Sequence, residues 1–523
     1  MTGKRSFNAE GPCNPQEHYM VDALRGLDKD ILSLIRAKKY FVIHAARQSG
    51  KTTLLQGLVD LLSTEGHYYA LYCSLENVSG IENVAIGIPA IIDSLDSSLT
   101  NYSLPYASSF ANGVDLNKPY NALQNTLVAY CRLLDKPLVL LFDEADCLCG
   151  ATLISFLRQL RNGYVNRINV PFIHSLALVG MRNIRDYRDE YRNPSQTLGT
   201  SSPFNIVAET MTLNNFTREE IAGLYAQHTT DTGQAFEDEA VDMVWAQTCG
   251  QPWLVNATAK IIVNIMTMNA PQTPVTAEMI NEAIQILILR NDTHFDSLMA
   301  RLREERVRRV IEPVITGEEA VLDLNSDEYS YVKDMGLIRN NRGRVEPANP
   351  IYGEIIVRTL SRNTQEGIGL KGNEYSIPRY LKDGAIEMDT LLRDFQIFWR
   401  ENEAIWQKKY DYQEAAPQLI LQAFLQRVVN GGGRIDREMA ASTGRVDLCV
   451  VYQKHRYPIE LKIRRNDSTY VEGLKQTAGY MDKLGSKEGF LVLFDQRKGL
   501  SWEDKLYTKK EGFDGKTITI FGC

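Results

Sequence analysis

The stretch Tyr40-Phe-Val-Ile-His-Ala-Ala-Arg-Gln-Ser-Gly-Lys-Thr-Thr-Leu-Leu55 decides the fold. It opens with an apolar run that reads as a buried strand, and Leu54-Leu-Gln-Gly-Leu-Val-Asp-Leu-Leu62 carries on with helical spacing. Between them lies Gly50-Lys51-Thr52, so the order is strand, loop, helix, the setting of a P-loop. Successive backbone N–H groups at a helix N-terminus hold phosphate charge, which assigns Ala46, Arg47, Gln48, Ser49, Gly50, Lys51, Thr52 and Thr53 to nucleotide binding. Gly50 admits the phosphates close to the backbone, Lys51 reaches the β- and γ-phosphates, and the Thr52 hydroxyl is placed to ligate Mg²⁺. Ala45 stands where a first glycine is usual, which adds a methyl group and removes freedom at positive φ.

The partner of this loop follows Lys136-Pro137. Leu138-Val-Leu-Leu-Phe142 is a continuous apolar run that ends in Asp143-Glu144-Ala145-Asp146. A strand buried on both faces with acids at its carboxyl end is a Walker B strand of a parallel sheet. Asp143 is expected to hold Mg²⁺, directly or through water, and Glu144 to orient and deprotonate the attacking water. ATP and Mg²⁺ are therefore the expected cofactors.

A chain of 523 residues exceeds a single hydrophobic core, so several domains are expected. The first residues lack the apolar segment of a signal peptide and no stretch approaches the ~20 apolar residues of a membrane span, so the expected location is cytoplasmic, without a membrane partner. Eight cysteines without CxxC spacing, Cys147 and Cys149 being the close pair, fit reduced thiols better than disulfides or zinc. The net charge of −7 argues against a protein coated in nucleic acid. Residues 381–523, however, carry 23 Lys/Arg against 21 Asp/Glu, and any polyanion site is expected there.

Tyr69–Ser74 reads as a second strand, 120–134 and 154–161 as helices, and Ser175–Gly180 as a further buried strand. Strands alternating with helices imply a parallel α/β sheet whose ligands sit beyond the strand carboxyl ends. Arg182, just past the last of these strands, is thereby expected to sense the γ-phosphate. Downstream, Thr217-Arg-Glu-Glu220 is a capping box, 237–248 is helical, and Gly250-Gln-Pro252 stops one helix and starts the next.

The P-loop, the Asp143-Glu144 box, the arginine after the fourth strand and this Gly-x-Pro together resemble the AAA-like branch that includes STAND and archaeal-type ATPases. Phe7-Asn-Ala-Glu-Gly-Pro-Cys-Asn-Pro-Gln-Glu-His-Tyr19 is similar to the opening of bacterial AAA-like domain ATPases. The resemblance spans residues 7–360. It implies adenine held between the segment near Tyr19 and the lid near Pro252, and a winged-helix module after the lid. Residues 304–315, 327–338 and 339–345 read as helix, helix and hairpin, in keeping with that module. Its implied role is an interdomain lever, with DNA binding as the alternative.

A second constellation follows a Ser/Asn/Gly/Lys-rich linker. After an amphipathic helix at 389–407 come the apolar helix 418–429, preceded by Glu414, the strand 444–452 containing Asp447, and the strand 455–463 containing Glu460 and Lys462. Period-2 alternation puts Glu460 and Lys462 on one face, and pairing brings Asp447 towards them. This arrangement resembles the PD-(D/E)xK nuclease superfamily. The resemblance implies Asp447 and Glu460 as metal ligands, Lys462 as the catalytic lysine, Glu414 as the acid of the first core helix, and Gln476 and Tyr480 as the QxxxY pair that positions nucleic acid. Hard cations take oxygen ligands, so Mg²⁺, or Mn²⁺ at this site, would serve. Val446 replaces the family's proline.

The resulting expectation is an α/β chain: a P-loop core at 1–210, a helical lid at 211–290, a winged-helix-like module at 291–360, a linker at 361–384 and a restriction-endonuclease-like domain at 385–523. Nucleotide turnover would gate a metal-dependent DNA nuclease of the kind found in mobile-element and anti-phage systems. The competing reading is a regulatory ATPase whose nuclease-like domain only binds nucleic acid or a protein partner. A DNA-translocating motor is less favoured, since no second RecA-like core is visible. DNA, a homo-oligomeric partner and a protein trigger complete the expected partners.

Overall fold

The computed structural model describes residues 5–26, 30–110, 115, 118–181, 206–268, 270–290, 293–316, 323–356, 359–360, 377–409, 417, 420–422, 424–425, 433–439, 446–464, 467–495, 497 and 500–523. The chain divides into two compact units. One comprises Met1–Asp292 with Asn325–Ile338 and Ala348–Ile351, the other Thr293–Leu324 with Arg339–Pro347 and Tyr352–Cys523.

The first unit is built on a five-stranded sheet of order β2-β3-β4-β1-β5, with β1 at Tyr40–His44, β2 at Tyr69–Ser74, β3 at Leu138–Asp143, β4 at Ser175–Gly180 and β5 at Val207–Thr212. Every neighbouring pair is parallel. β3 and β4 are buried at every residue, because helices cover both faces. Val42, Leu71, Leu140 and Leu178 pack on one side, while Phe41, Ile43, Leu141 and Val179 pack on the other. Since all strands run the same way, the loop after β1 and the acids after β3 emerge at one edge of the sheet.

Helix α1, Lys51–Glu65, starts from Gly50 at φ 95° and stops at Gly66, also left-handed, whose N–H returns to Leu62 O. Helix α2, Gly150–Asn166, is longer at both ends than its apolar spacing suggested. The lid comprises α3 at Arg218–Thr232, α4 at Asp238–Thr248 and α5 at Pro252–Ile261. Thr217 and Glu220 form the expected capping box. Gly250 at φ 73° separates α4 from α5, and a Cβ there would lie 1.9 Å from Phe216 O, so the chain can pass only without a side chain. Helix α6, Asp327–Asp334, also belongs to this unit.

In the second unit, helices at Thr293–Arg301 and Glu305–Thr316 are followed by strand β7, Arg344–Pro347, which pairs with β6, Ile338–Asn341. Its main body is a six-stranded mixed sheet. The strands are β8 at Gly433–Met439, β9 at Val446–Tyr452, β10 at His455–Arg464, β11 at Glu488–Asp495, β12 at Tyr507–Phe513 and β13 at Lys516–Gly522, in the order β8-β9-β10-β11-β13-β12. β8, β9 and β10 form an antiparallel meander, β10, β11 and β13 run parallel, and β12 returns antiparallel at the edge. Helix α7, Met388–Lys409, buries Leu391, Phe395 and Phe398 against Ile459, Leu461 and Val492. Helix α8, Asp467–Leu484, buries Leu474, Ala478 and Met481 against Leu491, Leu493 and Ile518 on the other face. Of the expected apolar helix at 418–429, residues 420–422 and 424–425 are helical; the rest lies outside the described residues, as do 361–376 of the expected linker.

Candidate functional site

The loop Ala45–Gly50 leaves β1 and turns sharply, with Gln48 at φ 57° and Gly50 at φ 95°. Thr52, in the first turn of α1, donates its hydroxyl proton to Asp143 Oδ2 at 2.7 Å. Tyr72 OH donates to the same oxygen at 3.2 Å, and the Glu144 N–H donates to Oδ1 at 3.0 Å. Asp143 is thus buried yet fully ligated. Two hard oxygen donors from Thr52 and Asp143 in contact are the donor chemistry Mg²⁺ takes, so the residues present fit the ion.

Lys51 is 6% exposed and its Nζ donates to Ala45 O and Ala46 O at 3.0 and 2.9 Å. Burial pushes its ammonium below the usual lysine range, against the pull of Glu144, Asp143 and Asp146. Glu144 has the left-handed φ of 53°, a conformation costing about 1–3 kcal/mol that is retained where function requires it. Burial and then Asp146 raise its carboxyl pKa, with Lys51 opposing. A half-buried carboxylate of raised basicity beside a lysine is suited to accept a proton from water. Asp146 fixes the edge of this site, its Oδ2 accepting from Met181 N at 3.1 Å. Gly180 is required there, since a Cβ would lie 2.5 Å from Asp146 Oδ1. Arg182 lies outside the described residues.

A cavity of about 500 Å³ opens over the loop, within the range of small-molecule sites. Ser49, Gly50, Lys51, Thr52 and Glu144 line one part of it, while Asn8, Pro12 and Tyr19 meet Pro252, Trp253 and Asn256 elsewhere in the wall. The N-terminal segment and the lid are stitched together, because Trp253 Nε1 donates to Ala9 O at 2.8 Å and Arg5 pairs with Asp231 at 2.9 Å. Cys13 N donates to Thr53 Oγ1 at 3.1 Å, which ties that segment to α1. Tyr19 lines the cavity but packs against Phe7 and His228, with the Arg5 guanidinium over its ring. Arg25, which sequence reasoning passed over, also lines the wall, its guanidinium 4.4 Å from the Phe216 ring centroid. Nothing in the local pattern singles it out, since the contact joins residues far apart in the chain.

Gly336, just past α6, comes up against the loop from the other side, where an added Cβ would lie 2.4 Å from Ala46 Cβ. Asp334 Oδ1 is 4.0 Å from His44 Nε2, at the end of β1.

The second unit holds a different cluster. Glu460 and Lys462 are 1% and 2% exposed, and Lys462 Nζ donates to Glu460 Oε1. Both lie on the α8 face of the sheet, and a Cβ on Gly473 of α8 would come within 3.2 Å of Lys462 Cγ, so the helix leaves room for the lysine stem. Leu448 on β9 pairs with Ile459, which places Asp447 at the register position beside Glu460. Nothing beyond the backbone is described at Asp447, and Glu414 lies outside the described residues. Gln476 and Tyr480 stand one turn apart on α8, half-buried. Among the described residues no three His, Cys, Asp or Glu side chains gather as a metal cage. All eight cysteines are free thiols, and among the described residues no helix is long and apolar enough to cross a membrane.

Residues 393–498 match a family model described as a domain of unknown function, DUF8371. An uncharacterized WD repeat-containing protein of Synechocystis sp. (strain ATCC 27184 / PCC 6803 / Kazusa) is 25% identical over 357 residues, 63% of this chain but 28% of that protein's length. Similar solved structures include the Walker-type ATPase PABY2304 of Pyrococcus abyssi, at 12% identity and a TM-score of 0.45, covering 67% of this chain and 99% of that one. The RuvB Holliday junction branch migration motor of Thermotoga maritima aligns at 14% identity and a TM-score of 0.32, over 60% and 88%. The ORC1 protein of Aeropyrum pernix, solved in complex with DNA, aligns at 11% and 0.32, over 62% and 89%. Residues 120–357 match the family model of the AAA-like domain, and with the loop, acids and parallel sheet described above, the chain carries an AAA-like P-loop ATPase domain.

Proposed function

We propose that this ATPase domain controls a metal-dependent nuclease in the second unit. The ATPase half follows from the site itself. Lys51 and the N–H groups of the loop would hold the phosphates, Thr52 and Asp143 the Mg²⁺ that neutralises charge on them, and Glu144 would take the proton of the attacking water. Lys51 must then exchange the Ala45 and Ala46 carbonyls for phosphate oxygens, so nucleotide binding rearranges the loop.

The observation that carries the nuclease half is the buried Glu460–Lys462 pair on a strand whose register sets Asp447 beside it. Burying two charges costs several kcal/mol unless they are paired, and a fold keeps such a pair where it serves chemistry or specificity. Asp447 and Glu460 would hold Mg²⁺ or Mn²⁺, which stabilises charge on a scissile phosphodiester. Lys462 sits beside that position to orient water, while Gln476 and Tyr480 of α8 project over the same face of the sheet to position the strand. The helices and hairpin at 293–347 would serve as a winged-helix-like lever between the nucleotide and the nuclease.

The test is cleavage of supercoiled and single-stranded DNA by the full chain with Mg²⁺ or Mn²⁺, with and without ATP. Metal-dependent cleavage that changes with ATP and disappears in Glu460→Gln supports the proposal. Binding without cleavage under every condition would instead favour a nuclease-like fold that only holds nucleic acid.

A further inference from the structure

Helix α5 turns one face towards the N-terminal segment. Pro252, Trp253, Asn256 and Lys260 share that face by their three- and four-residue spacing. Trp253 bonds Ala9 O, as described above, and Lys260 Nζ pairs with Glu10 Oε1 at 2.9 Å. Asn256 lies between these two anchors and lines the cavity opposite Asn8 and Pro12, away from the phosphate loop. It is 5% exposed.

Its amide is half satisfied. Nδ2 donates to Pro252 O at 2.9 Å, and because a carbonyl can only accept, this bond fixes which end of the amide is which. Oδ1 is left buried with no hydrogen-bond partner. The neighbouring side chains cannot serve it, since each is engaged. Asn8 donates Nδ2 to Pro12 O at 3.1 Å and accepts the Glu10 N–H on Oδ1 at 2.9 Å, Trp253 Nε1 is held by Ala9 O, and the Tyr19 hydroxyl bonds His228 Nδ1 at 3.3 Å. Gln48 Oε1 is a second buried acceptor without a partner in this wall, but it rides on the phosphate loop, where the ligand brings acceptors of its own. A buried acceptor left unpaired costs stability, and a fold that keeps one at the wall of a ligand cavity has a place for a donor from the ligand.

We infer that Asn256 reads the nucleobase, its Oδ1 accepting a hydrogen bond from the exocyclic 6-amino group of adenine. Adenine presents a donor at that position, whereas guanine and hypoxanthine present an oxo group, an acceptor that would face Oδ1 and leave both oxygens unpaired. Asn256 is therefore a specificity-determining residue that selects 6-amino over 6-oxo purines. Cytosine carries an exocyclic amine too, and the experiment separates the two sources. The inference rests on the reading of this cavity as the nucleotide site.

Calorimetric titration of the full chain with ADP, IDP and CDP in the presence of Mg²⁺ tests it, the diphosphates keeping hydrolysis out of the measurement. Wild type should prefer ADP over IDP by about tenfold or more, because a site that pairs a donor rejects the analogue lacking it. Asn256→Leu should bring that ratio to within about threefold, by weakening ADP rather than by strengthening IDP. Asn256→Asp keeps an acceptor at the same place and should keep the preference, which decides the matter should the leucine variant fail to fold. A ratio unchanged in Asn256→Leu, with both nucleotides weakened equally, makes the amide a packing group and overturns the inference while leaving the nucleotide site intact. Loss of the preference in Asn256→Asp overturns it as well. CDP bound as tightly as ADP overturns the assignment to adenine. Binding of none of the three by wild type overturns both the inference and the nucleotide-site reading.

Discussion

The Thr52 hydroxyl donates to Asp143 Oδ2 at 2.7 Å, joining residues 91 apart in sequence and closing the phosphate loop onto the acid strand. Both oxygens are the hard donors a magnesium ion requires, so one bond in the free protein marks where the ion would enter. Thr52→Ala should lower ATP turnover by about 2–3 kcal/mol in barrier, roughly 30- to 150-fold, whereas Thr52→Ser should retain most of it. Tyr72→Phe removes one neutral donor from the same carboxylate and should cost less than tenfold. Steady-state phosphate release at saturating Mg²⁺ is the measurement; equal rates in Thr52→Ala and wild type would refute the assignment.

Lys51 and Glu144 should separate binding from turnover. Lys51→Ala should lose the thermal stabilisation that ATP confers by mass action, about 2.7 kcal/mol at a hundred times Kd. Glu144→Gln should keep that stabilisation and lose hydrolysis. The pH profile follows from the sign of the Glu144 shift. Its carboxyl pKa is raised above the ordinary 4.5, chiefly by burial and by Asp146, and the base must be ionised to act. Turnover should therefore fall as pH drops through that raised value, giving an acidic limb above the one an exposed glutamate would give. A limb at or below the ordinary carboxylate value would exclude Glu144 as the base.

Gly250 and Gly66 share a left-handed φ, 73° and 72°, but differ in surroundings. An alanine at 250 would drive its Cβ to 1.9 Å from Phe216 O, while at 66 nothing lies within 4 Å. Gly250→Ala should destabilise the first unit by roughly 2–4 kcal/mol and Gly66→Ala by about 1 kcal/mol. Thermal denaturation monitored by circular dichroism distinguishes them; equal midpoints would mean that the lid is not held at Phe216.

Lys462 should matter for stability as well as for cleavage. Replacing it with methionine strands the buried Glu460 carboxylate and should cost about 3–5 kcal/mol. The double variant Glu460→Gln/Lys462→Met removes both charges and should recover most of that loss while remaining inactive. Urea denaturation of the three proteins decides this, and a single variant as stable as wild type would mean that water reaches the pair.

What could be read in the sequence was local. The strand at 138–143 shows itself by an unbroken apolar run, the loop at 45–53 by its glycine and lysine, and the Thr217 capping box by a four-residue spacing. The Glu460–Lys462 juxtaposition followed from strand alternation alone. The rest of the site depended on partners far away in the chain. Trp253 finds Ala9, Arg25 finds Phe216, and Gly336 finds Ala46, none of which leaves a periodic or compositional trace.

The approach of Gly336 to Ala46 has a meaning for how the protein is made. The two positions are 290 residues apart, and both belong to the first compact unit. At about 5–20 residues per second, a ribosome that has finished the phosphate loop needs roughly 15–60 s more before the residue that buttresses it has been joined to the chain. During that interval the nascent protein has the loop without its backing, and contacts of such sequence separation are the slow ones to form. The nucleotide site is therefore among the last parts of the first unit to mature, and a nascent or truncated chain ending near residue 292 would carry every phosphate-binding residue without the support that Gly336 gives them.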